Sequence, residues 1–174
     1  MAGTSLDDVM AVTATSKSQL YHYFANKDAL IREVITIQLG RVIAAQEPDL
    51  REVSSWEGLQ RWCDHLVAMT RARQGVGGCP LGSLVGELAE RSETARHVLA
   101  QCFAEWESYL SAGFVAMRDN GELAAEADPA ELALTMMSAL QGGLLMAQTM
   151  RSARPVELAL NMALGHVSAY RRNP

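Results

Sequence analysis

The chain has 174 residues, 49% of them hydrophobic and 20% charged, and this composition excludes an intrinsically disordered chain. With 15 basic and 20 acidic residues, the formal net charge is −5, which excludes a histone-like basic coat for nucleic acid. Residues 1–45 hold four basic and four acidic side chains, so the acidic excess lies in residues 46–174. The only lysines, Lys17 and Lys27, both fall in the neutral first stretch.

The N-terminal part of the chain predicts two short helices followed by a long one. Thr4–Asp7 and Ser16–Gln19 have the spacing of reciprocal caps, and Asn26 is a further cap signal. These signals predict helices at about 5–12, 16–23 and 27–45. Two short helices in succession are typical of a helix-turn-helix.

The rest of the chain predicts five further helices, at about 55–73, 80–91, 92–120, 129–150 and 155–172. Their start signals are a capping box at Ser54–Glu57, Pro80 after a glycine cluster at 74–78, Ser92, Asp128-Pro129 and Pro155. Asn120-Gly121 is a stop signal. No segment alternates with period two, so the predicted fold class is all-α, with roughly eight helices.

The segment Leu132–Met150 carries no charge over 19 residues. Glycine and polar side chains interrupt it, so we interpret it as a buried helix of a soluble protein and not as a membrane span. Its apolar side chains occupy more than one face, which requires two apolar partners. The second partner is predicted to be another copy of the chain, packed through the last two helices as a two-fold homodimer.

The cysteines and histidines give no sign of metal binding or catalysis. Cys63, Cys79 and Cys102 are odd in number and widely spaced, which argues against a disulfide framework or a zinc site and favours the cytoplasm. No secretory signal opens the chain. The sequence has no nucleophile elbow and no phosphate loop, so neither an enzyme nor a cofactor is expected. Cys79, in its glycine-rich loop, is left open as a redox sensor, although nothing basic adjoins it.

The second short helix has an inner and an outer side. Leu20 and Phe24 are four residues apart and are predicted to face inward, while polar side chains lie outside near the N-terminal end, which would enter the major groove of DNA. The candidate DNA contacts are Thr4, Lys17, Ser18, Gln19, Tyr21, His22 and Lys27.

These residue types suit both phosphate and base contacts. Lys17 can reach a guanine edge or a phosphate, and Gln19 can read a base edge. Lys27 starts the next helix, where free N–H groups and the helix dipole also favour a phosphate. Tyr21 as part of the small core and His22 as a solvated ring are the alternative interpretations.

The segment 4–30, TSLDDVMAVTATSKSQLYHYFANKDAL, closely resembles the helix-turn-helix of TetR-family transcriptional regulators. The run LYHYF followed by NKDAL carries most of that resemblance. The resemblance implies a one-component regulator that binds a palindromic operator as a homodimer, in most cases a repressor that a small ligand releases. An activator would share the architecture and differ in the sign of the coupling.

The part of the chain from residue 46 onward resembles the ligand-binding and dimerisation half of the same family. The motifs GGCPLG at 77–82, Phe103-x-x-Trp106 and LQGG at 140–143 are similar to the branch of LmrA/YxaF-type repressors, which sense small lipophilic or aromatic compounds. The implied domains are 1–45 for DNA binding and 46–174 for ligand binding and dimerisation.

A ligand pocket between bundle helices is expected to have apolar and aromatic walls with few polar groups. The candidate ligand contacts are Trp62, His65, Met69, Phe103, Trp106, Met137 and Gln141. Taken alone, each of them fits a helical core better than a ligand contact, with Gln141 the best candidate because a polar amide in a charge-free helix needs a partner.

The resemblance also shows one departure from the family pattern. Members normally carry an additional N-terminal helix ahead of the segment that begins at Thr4, and this sequence lacks most of that helix. Its loss would leave four apolar side chains without an apolar wall, namely Leu6, Val9, Met10 and Leu20. We therefore expect the natural chain to start upstream, and the alternative function is a dimer that binds small molecules without binding DNA.

Overall fold

The computed structural model describes residues 10, 12 and 16–172, which form a bundle of α-helices. The helices are α1 (Lys17–Tyr23), α2 (Lys27–Ala44), α3 (Trp56–Ala72), α4 (Pro80–Leu88), α5 (Glu93–Asp119), α6 (Pro129–Met150) and α7 (Arg154–Ser168). A 3-10 turn, Asp49–Arg51, follows α2, and the one β-bridge among these residues joins Leu123 to Arg171. The predicted all-α fold is confirmed. The predicted first helix and its cap lie outside the described residues, except for Met10 and Val12, which are helical.

Helices begin where short polar side chains can accept hydrogen bonds from their first turns. Asn26 Oδ1 accepts from the Ala29 N–H at 2.9 Å, and Ser92 Oγ accepts from the Ala95 N–H at 3.1 Å. Asp128 Oδ1 accepts from the first turn of α6 at 2.9 Å. These three caps confirm the predicted starts of α2, α5 and α6.

The cap of α3 lies one residue later than the predicted capping box. Ser55, and not Ser54, accepts from the Gly58 N–H at 3.1 Å. Gly58 lies so close to the preceding turn that a Cβ there would be 1.8 Å from the carbonyl oxygen of Glu52. This close approach fixes the first turn of α3, and it depends on tertiary packing that a local pattern does not contain.

Helix α5 is the centre of the bundle. It packs against α2, α4, α6 and the 3-10 turn. Its inner face buries Trp106, Leu110, Phe114 and Met117 completely, at about 1.5–3 kcal/mol of transfer free energy for each large apolar side chain. At Gly113 the helix touches the backbone of Val53, where a Cβ would come within 2.6 Å of the carbonyl oxygen.

Helices α6 and α7 form a closely packed pair. A Cβ at Gly143 would lie 2.9 Å from the Cα of Val156 and 3.2 Å from the Cβ of Ala159. By length and composition α6 could span a membrane, the one described helix that could, and 39% of its most apolar stretch is buried in the structure. The buried part packs on α5 and α7, and the remainder is open on one chain.

The open part of α6 and α7 carries large apolar side chains. We call it the α6–α7 surface, and it consists of Leu134, Leu145, Met146, Met150, Leu158 and Met162. Met162, the most exposed of them, has 71% of its surface accessible. Apolar side chains gathered in this way on two neighbouring helices are typical of a surface that a partner covers.

Candidate DNA-binding helix and ligand cavities

Helix α1 begins with the predicted reciprocal cap. The Ser16 N–H donates to Gln19 Oε1 at 2.8 Å, and the Gln19 N–H donates to Ser16 Oγ at 3.2 Å. The cap holds the Gln19 side chain at the N-terminal end of α1 through its oxygen. Its Nε2 makes no hydrogen bond to a described residue, so this group is free to donate to an acceptor outside the chain.

The candidate DNA contacts whose side chains are described all lie on the protein surface. Ser18, Gln19, His22 and Lys27 are exposed, and Lys27 is the first residue of α2, directly after the Asn26 cap. Thr4 lies outside the described residues, and so do the side chains of Lys17 and Tyr21. An exposed lysine beside the free N–H groups of a helix N-terminus is a favourable arrangement for a phosphate.

A first cavity of about 220 Å³ lies between α2, α3, α6 and the loop at 74–78. Its walls are formed by apolar side chains of α3 and α6, together with Trp106 from α5. Gly75 closes the cavity at a φ of +71°, a backbone conformation that favours glycine, and a Cβ there would lie 2.4 Å from the carbonyl oxygen of Ala147. Arg41 and Arg73 are the charged residues of the lining.

Two polar side chains of the first cavity are already satisfied by the protein. Gln46 Oε1 accepts from Trp62 Nε1 at 2.9 Å, and Gln46 Nε2 donates to the Val42 carbonyl at 2.9 Å. Thr70 Oγ1 donates to the Leu66 carbonyl at 2.8 Å. By contrast, Trp106 Nε1 is buried and has no hydrogen-bond partner among the described residues. A buried donor without an acceptor costs about 1–3 kcal/mol.

A second cavity, of about 740 Å³, lies between α4, α5 and α6. Phe103, Met137 and Gln141 line it, together with Leu134 and Leu145 of the α6–α7 surface. The rings of Phe103 and Trp106 stack with their centroids 6.3 Å apart, so these two aromatic side chains lie where the two cavities approach each other.

The seven candidate ligand contacts lie in the first cavity, in the second cavity, or outside both. Met69 and Trp106 line the first cavity, and Phe103, Met137 and Gln141 line the second. Trp62 and His65 line neither cavity. Trp62 is fully buried behind Gln46, and His65 Nδ1 lies 2.7 Å from Asp49 Oδ2, which ties α3 to the 3-10 turn.

Sequence reasoning missed most of the lining of the first cavity, including the polar residues Gln46, Arg41 and Arg73. Gln46 is only 3% exposed, and a buried glutamine is an unusual residue, but its burial results from folding and leaves no mark in the sequence. The two arginines have the pattern of ordinary solvated charges on α2 and at the end of α3. Their position on one cavity depends on how these helices pack.

The cysteine side chains are buried thiols. Burial raises the pKa of Cys63 to about 12. Burial also raises the pKa of Cys79, although the Gly82 N–H, which donates to Cys79 Sγ at 3.4 Å, opposes the effect. A thiol with a raised pKa holds little reactive thiolate at neutral pH, which argues against the redox role left open for Cys79. Within residues 10, 12 and 16–172, no group of three His, Cys, Asp or Glu side chains could hold a metal ion.

Comparison with known proteins gives matches along most of the chain. A family model described as "Tetracyclin repressor-like, C-terminal domain" matches residues 56–163, and one described as "Bacterial regulatory proteins, tetR family" matches residues 1–34. A regulator from Lactococcus lactis subsp. lactis, described as an HTH-type transcriptional regulator in the lacX 3' region, is 27% identical, over 89% of this chain and 78% of its own. The HTH-type transcriptional regulator YxaF of Bacillus subtilis strain 168 is 26% identical, over 89% of this chain and 80% of its own.

Solved structures give the same fold. The regulatory protein TetR from Rhodobacter sphaeroides superposes with a TM-score of 0.77 at 20% identity, covering 94% of this chain and 87% of that one. The reduced form of NemR from E. coli gives a TM-score of 0.68 at 22% identity, with 99% and 88% of the two chains covered. A TetR-family regulator from Agrobacterium tumefaciens gives 0.70 at 16% identity, with 94% and 86% covered.

The matched C-terminal model covers more than half of the chain, and the relatives are transcriptional regulators that resemble it along nearly nine-tenths of its length. These relatives are not enzymes, and the LmrA/YxaF-like resemblance agrees with the YxaF match. The chain therefore belongs to the TetR family of bacterial transcriptional regulators, with an all-α TetR-like fold.

Proposed function

We propose that the chain is a ligand-released repressor that acts in the cytoplasm. It binds a palindromic operator as a homodimer, and a small lipophilic or aromatic effector in its C-terminal part lowers its affinity for DNA. Residues 1–45 form the DNA-binding domain with its connecting helix, and residues 46–174 form the ligand-binding and dimerisation domain.

Helix α2 carries this proposal, because one continuous helix belongs to both sites. It begins at Lys27, beside the candidate DNA-binding helix, and its last turn supplies Arg41 and Val42 to the first cavity. A ligand that changes the position of this helix in the cavity therefore also changes the position of α1. Such a ligand releases DNA only if it binds the two arrangements with different affinity.

The DNA contacts follow from the exposed side chains of α1 and the start of α2. Lys27 binds a phosphate, Gln19 reads a base edge through Nε2, and Ser18 and His22 contact the backbone or neighbouring bases. We assign Lys17, Tyr21 and Thr4 to the same interface. The match of the tetR-family model over residues 1–34 favours this function over the alternative of a ligand-binding dimer that binds no DNA.

The homodimer uses the α6–α7 surface. Two copies packed through this surface around a two-fold axis would form a four-helix arrangement and cover side chains such as Leu158 and Met162. The two-fold axis also matches the symmetry of a palindromic operator, since each α1 then meets one half-site.

Fluorescence anisotropy on promoter DNA tests the proposal. The chain is titrated onto a labelled fragment of its own promoter across a salt series, and specific binding with a steep salt dependence is expected. The variant Lys27→Ala should weaken binding to every DNA and reduce the salt slope by about one phosphate contact. Arg91→Ala, an exposed cation after α4, is the matched control.

Two results would count against the proposal, the first against the DNA-binding function and the second against the phosphate contact of Lys27. The first is the absence of specific binding by this chain and by a version extended upstream. The second is a salt slope that changes equally in Lys27→Ala and Arg91→Ala, because that would remove the phosphate contact from the start of α2.

A further inference from the structure

The charged residues that line the second cavity are both acidic. Glu87 of α4 and Glu107 of α5 lie in its lining, and none of the described lining residues is a lysine, an arginine or a histidine. The first cavity has Arg41 and Arg73 in its lining, and a groove between α2 and α5 combines two glutamates with Arg32 and a histidine. The lining of the second cavity therefore differs from both in carrying negative charge alone.

A carboxylate in such a position is uncommon in this protein. Most acidic side chains of the described chain are exposed, and five are partly buried, namely Asp49, Glu87, Glu107, Glu122 and Glu157. Asp49 and Glu157 lie 2.7 and 3.2 Å from a basic side chain of the same molecule. Two of the other three line the second cavity.

Glu107 is accessible from the cavity. It lines the cavity and is partly exposed, so a ligand there can reach its carboxylate. It makes no hydrogen bond or ion pair with a described residue. A partly buried carboxylate is stabilised by a positive charge beside it, so this position favours a cationic group.

An aromatic ring lies on the same side of α5. Phe103 is four residues before Glu107, which places the two side chains on one face of the helix, and both line the second cavity. A cation at Glu107 is therefore about one helical turn from an aromatic ring. The attraction between a cation and the face of a ring adds to the attraction of the carboxylate.

The opposite wall is apolar and comes from α6. Leu134, Met137 and Leu145 line it, and the volume of about 740 Å³ lies within the ~300–1,000 Å³ of small-molecule sites. Leu134 and Leu145 also belong to the α6–α7 surface, so in the proposed homodimer the partner copy borders this cavity. Exclusion of water by that copy would strengthen the attraction between opposite charges.

We propose that the second cavity binds a lipophilic organic cation, an aromatic molecule that carries an ammonium or quaternary ammonium group. The cationic group binds at Glu107 and Glu87, beside Phe103, and the apolar part lies against α6. Helices α4 and α5 both pack against α2, so such a ligand contacts two neighbours of the helix that leads to the DNA-binding end. The assignment rests on the proposed function for its regulatory meaning, while binding itself does not depend on DNA.

Calorimetric titration of the DNA-free protein tests the assignment with three probes that share one ring system. They are (2-naphthylmethyl)trimethylammonium, the neutral 2-naphthylmethanol and the anion 2-naphthylacetate. The cation should bind at least about tenfold more tightly than the alcohol, and the anion should bind more weakly than either. These ratios are measured on the wild-type protein and require no variant to fold.

Three variants assign the preference to residues. Glu107→Gln and Glu87→Gln should each reduce the preference for the cation over the alcohol, because the amide keeps the shape of the side chain and removes its charge. Glu105→Gln is the matched control, since Glu105 is exposed on α5, two residues before Glu107, and does not line this cavity. It removes the same charge from the molecule and should leave the ratio unchanged.

Three results would each overturn the assignment: equal binding of the cation and the alcohol, no binding of the cation at millimolar concentration, or an equal effect of Glu105→Gln and Glu107→Gln. The last result would show that the net charge of the molecule, and not the cavity, attracts the cation.

The two proposals fail separately. If the chain binds its promoter and shows no preference for the cation, the ligand class is wrong and the regulator stands. If the cation binds as expected and no promoter DNA does, the repressor function is wrong and the ligand class stands.

Discussion

At the start of α1, the amide oxygen and the amide nitrogen of Gln19 differ in their hydrogen bonding. Oε1 accepts from the Ser16 N–H and closes the helix cap, while Nε2 is free to donate. The sequence predicts this cap because its two partners are three residues apart and need no tertiary structure. The Gln19 side chain can therefore cap the first turn of α1 and contact a base at the same time.

We predict that Gln19→Glu keeps the fold of α1 but changes the operator preference. Glutamate retains the oxygen that caps the helix and loses the donor, so it accepts from cytosine N4 where glutamine suits adenine. Binding measured against operators with each base pair changed symmetrically should show a shift towards cytosine at one pair of positions. Gln101→Glu, an exposed glutamine on α5, reports the effect of the added charge alone. A loss that is equal on every sequence would contradict the base contact of Gln19.

Contacts between distant residues could not be predicted in this way. Trp62 Nε1 meets Gln46, and His65 meets Asp49, across 16 residues in each case. Both pairs exist because the 3-10 turn brings the end of α2 against α3, and no local spacing specifies that turn. The sequence therefore does not reveal that the polar atoms of Trp62 and His65 bind other parts of the bundle. Their role as ligand contacts stays a prediction.

At the scale of the helices, Gly142 and Gly143 are neighbours with opposite surroundings. A Cβ at Gly143 would meet Val156 and Ala159 of α7 at 2.9 and 3.2 Å, and a Cβ at Gly142 would meet nothing within 4 Å. The sequence motif LQGG contains both glycines but does not reveal which of them lies against another helix.

We predict that Gly143→Ala destabilises the protein by about 1–3 kcal/mol, because the added methyl group pushes α6 and α7 apart. Gly40→Ala, at an exposed glycine of α2 where a Cβ would also meet nothing within 4 Å, is the matched control and should be neutral or stabilising by up to about 1 kcal/mol, since alanine favours a helix over glycine. Urea unfolding at one fixed protein concentration gives both values. Equal effects of the two substitutions would show that the helices do not approach most closely at Gly143.

The predicted helix starts agree with the structure where a side chain caps the first turn, as at Asn26, Ser92 and Asp128. Boundaries that depend on packing could not be predicted from the local sequence. The 3-10 turn at Asp49–Arg51 has no side-chain cap and was not predicted. Helix α4 ends at Leu88, three residues before its predicted end.

At the scale of the whole molecule, the α6–α7 surface gathers six exposed large apolar side chains on two neighbouring helices of the described chain. The uncharged segment Leu132–Met150 indicated it in the sequence, since its apolar residues cannot all face one core. The ligand cavities were less predictable. Their apolar walls have the composition of any helical core, and the arginines of the first cavity resemble solvated charges until the helices are packed.

We predict that Met162→Glu converts the dimer to a monomer. Because a two-fold dimer carries the substitution in both chains, Met162→Glu places two carboxylates in an apolar interface. Burying unpaired charge there is costly. Size-exclusion chromatography with light scattering should give half the wild-type mass. Val115→Glu, an exposed apolar residue of α5 outside the α6–α7 surface, should leave the mass unchanged. A Met162→Glu protein that keeps the wild-type mass would place the interface elsewhere.

Because α2 is long, a small rotation at one of its ends moves the other end by a larger distance. Its 18 residues span about 27 Å at 1.5 Å of rise per residue. A rotation of about 5° at the cavity end then moves the Lys27 end by about 2 Å, and a symmetric pair would change the separation of its two DNA-facing ends by about twice as much. Half-sites on DNA lie about 34 Å apart for each helical turn. Under the proposed function, a small rotation of α2 at the cavity would therefore be enlarged at its DNA-facing end into a mismatch with the groove spacing.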